Sequence, residues 1–231
     1  MMRLLLEVIV QTVDDVRAAE AGGADRLEVV RDITHDGLTP SIDVVRAIQA
    51  VTRLPLRVMV RESDSFTVSG AKELGALRGA IEQLAMLNVD GVVLGFARGG
   101  ALDLETTRAV LAGRPAVRVT FHRAFDVVHD PIAALDALRE IPQIDRVLTA
   151  GGTADWKARC EMLKGYAARA GATLTMLAGG GVDAAALSLI AASGCVREAH
   201  VGRAAREPQV RDAPVSADRV RRLRQIADGG A

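Results

Sequence analysis

The chain has 231 residues, enough for one large α/β domain or two small ones. Hydrophobic residues make up 49% of it and charged residues 25%, which is ordinary for a soluble globular protein. Lysine plus arginine and aspartate plus glutamate number 29 each, so the charge balance argues against a general nucleic-acid-binding protein.

The sequence also argues against a membrane partner. It contains no apolar run long enough for a transmembrane helix. Near the N-terminus, Glu7 interrupts the apolar run that begins at Leu4, which leaves too short a segment for a signal peptide. Cys160 and Cys195 show neither metal-binding nor redox spacing and no disulfide framework. We therefore expect a cytoplasmic protein with reduced thiols.

Segments typical of strands and of helices alternate along the chain. The predicted strands are Leu4–Val10, Asp25–Val30, Leu56–Arg61, Asp90–Phe96, Val117–His122, Asp145–Thr149, Thr173–Ala178 and Arg197–Val201. The predicted helices are Asp14–Ala21, Ser41–Thr52, Ala71–Leu87, Leu104–Ala112, Pro131–Glu140, Asp155–Arg169, Ala184–Ser193 and Ala217–Ala227.

This alternation predicts a parallel sheet with right-handed crossovers. Eight units in about 230 residues are the size of a compact (β/α)8 TIM-type barrel, so we expect a single barrel domain over residues 1–231. The alternative is a doubly wound open sheet. It is less favoured because no Gly-x-Gly-x-x-Gly fingerprint follows the first strand.

Several predicted strands carry polar residues where a sheet covered on both faces would be apolar. They are Glu7, Arg26, Glu28, Arg61, Thr120, His122, Thr149, Glu198 and His200. The two-residue period of a strand places them on shared faces, which we expect to point into the barrel, mostly toward its C-terminal mouth. Acids and bases in this set can pair, which would offset the cost of burial.

The end of the fifth strand concentrates polar groups. His122, Arg123 and Asp126 arrive together, before a helix that Asp130 caps and Pro131 begins. Two later turns are rich in glycine, at Gly179–Gly181 after the seventh strand and at Gly202-Arg203 after the eighth. Many barrels bind phosphate through backbone N–H groups in these two loops, although three glycines are equally compatible with a tight turn.

With these residues placed, the chain closely resembles the CutC family, which is named for copper homeostasis. The matching stretches are Leu6–Val8, Gly22–Glu28, Gly37–Ser41, Val58–Arg61, Val119–Asp126, Arg146–Thr149 and Ala178–Val182. The resemblance covers most of the chain. It implies a TIM-type barrel, a homo-oligomer, a cytoplasmic location and a role in copper binding.

This chain departs from the family pattern where copper would matter. Val30 stands where some members carry a cysteine, and another cysteine of some members corresponds to about Thr67. Glu62 and Ser63 follow Arg61, so the second arginine of a family turn is missing as well. Because Cu(I) prefers thiolate and thioether ligands, copper is implied here by the resemblance alone, and the metal ligands stay unassigned.

The first functional hypothesis is an enzyme that acts on a small anionic molecule, such as a phosphorylated metabolite, at the barrel mouth. Its acid/base would be His122, with Glu28 or Glu7 as partner. The predicted substrate-binding residues are Arg26, Arg61, Arg123, Asp126, Thr149, Gly180, His200 and Gly202. Isomerisation, aldol-type cleavage and hydrolysis all remain open, but the absence of lysine from the predicted strands disfavours a Schiff-base aldolase.

Two other hypotheses compete with the enzyme. One is a cytosolic protein that binds or buffers copper without enzymatic activity, for which His122, His200 and the carboxylates would suit Cu(II) better than Cu(I). The other is an inert scaffold whose polar interior only stabilises the fold.

Overall fold

Short apolar strands close into a parallel barrel in the computed structural model, which describes residues 3–229. Within that range the barrel strands are β1 Leu5–Val10, β2 Arg26–Val29, β3 Leu56–Met59, β4 Gly91–Leu94, β5 Val119–Phe121, β6 Ile144–Thr149, β7 Thr175–Ala178 and β8 Glu198–Val201. Neighbours in sequence are neighbours in the sheet, and β1 pairs with β8 to close it. The predicted TIM-type barrel is thus confirmed.

Helices follow the strands and cover the outside of the barrel. They are α1 Val13–Ala21, α2 Ile42–Gln49, α3 Ala71–Met86, α4 Leu104–Leu111, α5 Pro131–Arg139, α6 Trp156–Ala170, α7 Ala184–Ser193 and α8 Ala217–Ala227. Ser41, Asp130 and Ser216 cap α2, α5 and α8, because each side chain accepts a backbone N–H of the first turn. Among the described residues, none of these helices is both long and apolar enough to cross a membrane.

Four predicted strands, β2 to β5, end one or two residues earlier than expected, and the ends of β3 and β5 shape the mouth. Strand β3 stops at Met59, so Arg61 lies just beyond it. Strand β5 stops at Phe121 because the His122 side chain accepts the backbone N–H of Ala124 and caps a 3-10 turn over Arg123–Val127. Arg61 and His122 therefore lie in the segments that follow their strands.

The two faces of the strands bury different groups. Outward residues such as Leu6, Val8 and Val10 belong to the large apolar core shared with the helices. A smaller apolar cluster includes Ile9 and Met59, which line the cavity at the mouth.

The N-terminal end of the barrel interior is filled by ion pairs. Arg57 is fully buried and bonds Asp90 at 2.7 Å and both carboxylate oxygens of Asp145 at 2.7 and 2.8 Å. Gly91 makes room for it, since a Cβ there would lie 2.6 Å from Arg57 Nη1. Arg146 continues the chain of ion pairs from Asp145 toward the mouth.

Candidate functional site

A cavity of about 610 Å³ opens at the carboxyl ends of the strands. Most of its wall comes from strand ends and from the turns that follow them, as expected for a barrel of this class. Its lining includes many of the predicted site residues, namely Glu28, Arg61, His122, Arg123, Asp126, Gly180, His200 and Gly202. The structure brings these residues together, and their roles stay predictions.

Three predicted site residues lie outside the cavity wall. Glu7 and Arg26 are 1% and 2% exposed and lie deeper in the barrel, below Glu28. Thr149 is 1% exposed and is covered by other groups. The strand period gave the correct face for Glu7 and Arg26 but not their depth. Arg26 therefore does not line the cavity, and its expected role in anion binding stays a prediction.

Arg26 serves as a counter-ion inside the barrel. Its Nε donates to Glu7 Oε2 and its Nη2 to Glu198 Oε2, each at 2.5 Å. Burial opposes the charge on Glu7, but Arg26 and a hydrogen bond from His200 outweigh it and hold the pKa of Glu7 well below its usual range. Glu7 is thus an ionised structural acid that also contacts His200.

Glu28 and His200 form a close pair at the bottom of the cavity. His200 Nδ1 lies 3.3 Å from Glu28 Oε2 and 2.9 Å from Glu7 Oε1. Burial raises the pKa of Glu28 to about 7. The charge of Glu7 raises this pKa further, whereas the charge of His200 lowers it. Burial lowers the pKa of His200, but the two carboxylates outweigh it and raise that pKa. The predicted carboxylate partners of His122 are therefore partners of His200 instead.

His122 lies in the cavity wall as a neutral imidazole. Its Nδ1 accepts the N–H of Ala124 at 3.1 Å, so the ring proton is on Nε2. Burial, and next the charge of Arg61, lowers the pKa of His122 to about 3. Gly95 provides the space, because a Cβ there would lie 2.6 Å from Nδ1. His122 thus presents Nε2–H toward neighbouring groups as a neutral donor, and its expected role as acid/base stays a prediction.

Arg61 is a buried cation in the same wall. It is 7% exposed, donates to the carbonyl of Asp64 and lies 5.2 Å from the ring centroid of Phe66. Its Nε has no hydrogen-bond partner, and it forms no ion pair with any carboxylate in the described range 3–229. Burial lowers the pKa of Arg61. A guanidinium held in this way is poised to bind an anion.

Thr149 and Asp126 position Arg123. Thr149 Oγ1 donates to Asp126 Oδ1 at 2.6 Å, and Arg123 Nε donates to Asp126 Oδ2 at 2.8 Å. The Arg123 side chain is 48% exposed and packs against Gly180, where a Cβ would lie 3.2 Å from its Nε. Thr149 thus supports the cavity wall from behind, and its predicted contact with substrate stays a prediction.

The glycine loops reach the cavity as predicted. Gly180 and Gly181 have φ angles of +72° and +93°, a region that favours glycine. Arg159 fixes this loop from behind by donating to the carbonyls of Gly179 and Gly180 at 3.0 and 3.1 Å. After β8, Arg203 lines the cavity, is exposed and forms no ion pair within residues 3–229.

Sequence reasoning missed part of this site. Met59 and Phe66 contribute apolar wall, and Asp36 bonds Arg211 at 2.5 Å across the rim. No sequence signal pairs these last two residues, because they lie in loops far apart in the chain. The ion pairs of Arg57 could have been suspected, since an arginine inside a predicted apolar strand needs a partner.

The donor groups at the mouth of the barrel are poorly suited to Cu(I). Among the described residues that line the cavity, the soft donor is the thioether of Met59. The cysteines are both buried outside the cavity. Burial, with a smaller contribution from the neighbouring thiol of Cys160, raises the pKa of Cys195 to about 11. Carboxylates and imidazole at the cavity bottom suit a divalent ion better.

The fold and the site define a TIM-type barrel with a polar cavity of mixed charge at its C-terminal mouth. The CutC family model matches residues 4–205, and this chain belongs to the CutC family.

Known proteins agree with this assignment. The chain is 35% identical over 199 residues to the family protein CutC of Caulobacter vibrioides, covering 86% of this chain and 80% of that one. It is 32% identical over 179 residues to the human copper homeostasis protein cutC homolog, covering 77% of this chain but only 65% of the human protein. A solved CutC structure from Streptococcus agalactiae has a TM-score of 0.76 at 24% identity, over 85% of this chain and 97% of that one.

Proposed function

We propose that this protein binds a small anionic molecule, such as a phosphorylated metabolite, in the mouth cavity. We further propose that it removes a proton from this molecule. The observation that carries the proposal is the buried guanidinium of Arg61, which faces the cavity without an ion-pair partner in the described range. Leaving a buried charge unpaired typically costs several kcal/mol. An anion that pairs with Arg61 would remove this cost and gain charge-assisted hydrogen bonds.

Further donors face the same space. Arg203 lines the cavity without an ion pair among residues 3–229, and Arg123 packs against Gly180. Gly180 and Gly202 also line the cavity, and their loops occupy the positions at which barrels of this class bind phosphate through backbone N–H groups. The ligand is therefore one with concentrated negative charge.

The proton-transfer step follows from two groups of the cavity. Glu28 lines the cavity, and its Oε2 accepts no hydrogen bond from the described residues, so this carboxylate is our candidate for the proton acceptor. His122 presents Nε2–H as a neutral donor, which would stabilise negative charge developing on a ligand oxygen. Isomerisation and aldol-type cleavage both begin with such a step.

Ligand screening tests the proposal. Thermal unfolding in the presence of phosphorylated metabolites and of inorganic phosphate should identify an anion that raises the melting temperature. Calorimetry with that anion should show at least tenfold weaker binding to Arg61→Met, since a charged bond of about 1.5–3 kcal/mol is lost. Arg139→Met, on α5 outside the cavity, is the matched control and should bind as the wild type does. No stabilising anion, or equal binding by Arg61→Met, would overturn the proposal.

Copper binding without catalysis is the second candidate. The family name supports it, and the observation that favours it here is that the buried free cysteines Cys160 and Cys195 are neighbours. Two adjacent sulfurs are suitable ligands for Cu(I). The raised pKa of Cys195 works against it, because the metal binds the thiolate.

The CutC membership also supports a cytoplasmic homo-oligomer. Sedimentation analysis of the purified protein would test the oligomeric state. A monomer at micromolar concentration would exclude the homo-oligomer.

A further inference from the structure

We propose that Glu7, Glu28 and His200 form a binding site for a divalent metal ion at the bottom of the cavity. Each residue offers one donor atom, and the three atoms lie within 4.8 Å of one another. They come from three neighbouring strands, β1, β2 and β8, whose pairing fixes their relative positions. The inference goes beyond anion binding, because it adds a second ligand at a distinct part of the cavity.

The distances match a coordination shell. With metal–ligand bonds of about 2.1 Å, neighbouring donors of a tetrahedral or octahedral shell lie about 3.0–3.4 Å apart. His200 Nδ1 lies 2.9 Å from Glu7 Oε1 and 3.3 Å from Glu28 Oε2. A cation could therefore replace the proton between these groups with little movement of the side chains.

Glu28 provides independent support for a missing ligand. Its side chain is 2% exposed, and Oε2, which is directed at His200, has no hydrogen-bond partner among the described residues. A buried carboxylate oxygen normally accepts at least one hydrogen bond. A metal ion would satisfy this oxygen.

The surrounding charges leave the donor atoms free. Arg26 bonds Glu7 through Oε2, which leaves Oε1 for the cation. The charge of Arg26 is shared with Glu198, so it opposes a cation less than an unpaired arginine would. Glu7 is thereby held as an ionised ligand in a fixed orientation.

The donor set and its position identify the kind of ion. Two carboxylates and one imidazole suit Zn²⁺, Mn²⁺ or Co²⁺ rather than Cu(I). Glu28 and His200 line the cavity whereas Glu7 lies beneath it, so the free coordination positions would face the ligand. A bound ion would occupy Glu28 Oε2 and replace it as the group that activates the ligand.

Metal titrations test this site. Calorimetry with Zn²⁺ and Mn²⁺, and visible absorption with Co²⁺, should show one ion bound per chain. Glu28→Gln and His200→Gln should each weaken binding by more than the ~10–100-fold typical of losing an outer-shell partner. His35→Gln removes an exposed imidazole that bonds Asp32 outside the cavity, and it should bind as the wild type does.

The outcomes separate this site from anion binding. Failure of the wild type to bind any of the three ions stoichiometrically would overturn the metal proposal, as would undiminished binding by both cavity variants. Circular dichroism would show whether each variant is folded. The Co²⁺ spectrum of the wild type tests the site even if a variant does not fold. Phosphate binding that is lost in Arg61→Met would stand even if no metal binds.

Discussion

Arg26 and Glu7 lie opposite each other on β2 and β1, in register and joined by a hydrogen bond of 2.5 Å between buried side chains. Glu28 lies two residues further along β2 than Arg26, toward the mouth, and Glu7 contacts His200 on the neighbouring strand β8. The polar interior thus has two parts, a paired structural layer and a partly unpaired mouth.

Arg26→Leu should destabilise the fold by about 3–5 kcal/mol, because it leaves Glu7 buried without its counter-ion. Adding Glu7→Leu should restore part of this loss. Adding Glu28→Leu instead should restore less, since Glu28 has no hydrogen bond to Arg26. Chemical denaturation of the single and double variants measures these differences, and full additivity for Arg26 with Glu7 would mean that the pair does not interact.

His122 should make stability depend on pH. Its folded pKa of about 3 lies below the ordinary value of 6.5, so the unfolded chain binds the extra proton between these limits. The His122 contribution to the free energy of unfolding should therefore fall as the pH decreases, by about 1.4 kcal/mol per unit once the pH is below 6.5. Denaturation at pH 7.0, 6.0 and 5.0 should show a shallower pH dependence for His122→Gln than for the wild type. Equal slopes would contradict a neutral His122.

Gly180 and Gly181 offer a matched pair of substitutions. Both have positive φ, so Gly180→Ala and Gly181→Ala should each cost about 1–2 kcal/mol in stability. Only at Gly180 would the new Cβ approach Arg123, at 3.2 Å from its Nε. Anion affinity should therefore fall in Gly180→Ala and be retained in Gly181→Ala. A similar loss of anion affinity in both variants would mean that the backbone conformation alone, and not Arg123, causes the effect.

Replacing the cysteines should barely change Cu(I) binding. Neither Cys160 nor Cys195 lines the cavity, and burial together with the neighbouring thiol keeps the Cys195 pKa high. Competition against a calibrated Cu(I) chelator should show weak binding by the wild type and by Cys160→Ser/Cys195→Ser alike. Tight one-to-one binding that is lost on removal of either cysteine would place copper first among the candidate functions.

The sequence predicts the barrel well because its signals are local. Alternating strand and helix patterns, the caps Ser41 and Asp130 and the two-residue period all act over a few residues. They place polar side chains such as Glu7 and Glu28 on the inner face. They do not give the depth of each side chain in the barrel, which depends on register between strands.

The sequence does not predict which side chains contact each other when they lie far apart in the chain. Arg26 bonds Glu198 from a strand at the other end of the chain, and Cys160 meets Cys195 through the packing of the outer layer. The protonation of His122 likewise depends on burial and on Arg61, which reaches it through tertiary structure. These features depend on contacts between residues far apart in the chain.

Diffraction from crystals soaked in phosphate or tungstate tests anion binding by Arg61 most directly. We expect anion density bonded to the Arg61 guanidinium, on the side of the loops at Gly180 and Gly202, and weaker density in the cavity of an Arg61→Met crystal. Density that does not contact Arg61, or a cavity free of the anion at saturating concentration, would contradict anion binding by Arg61.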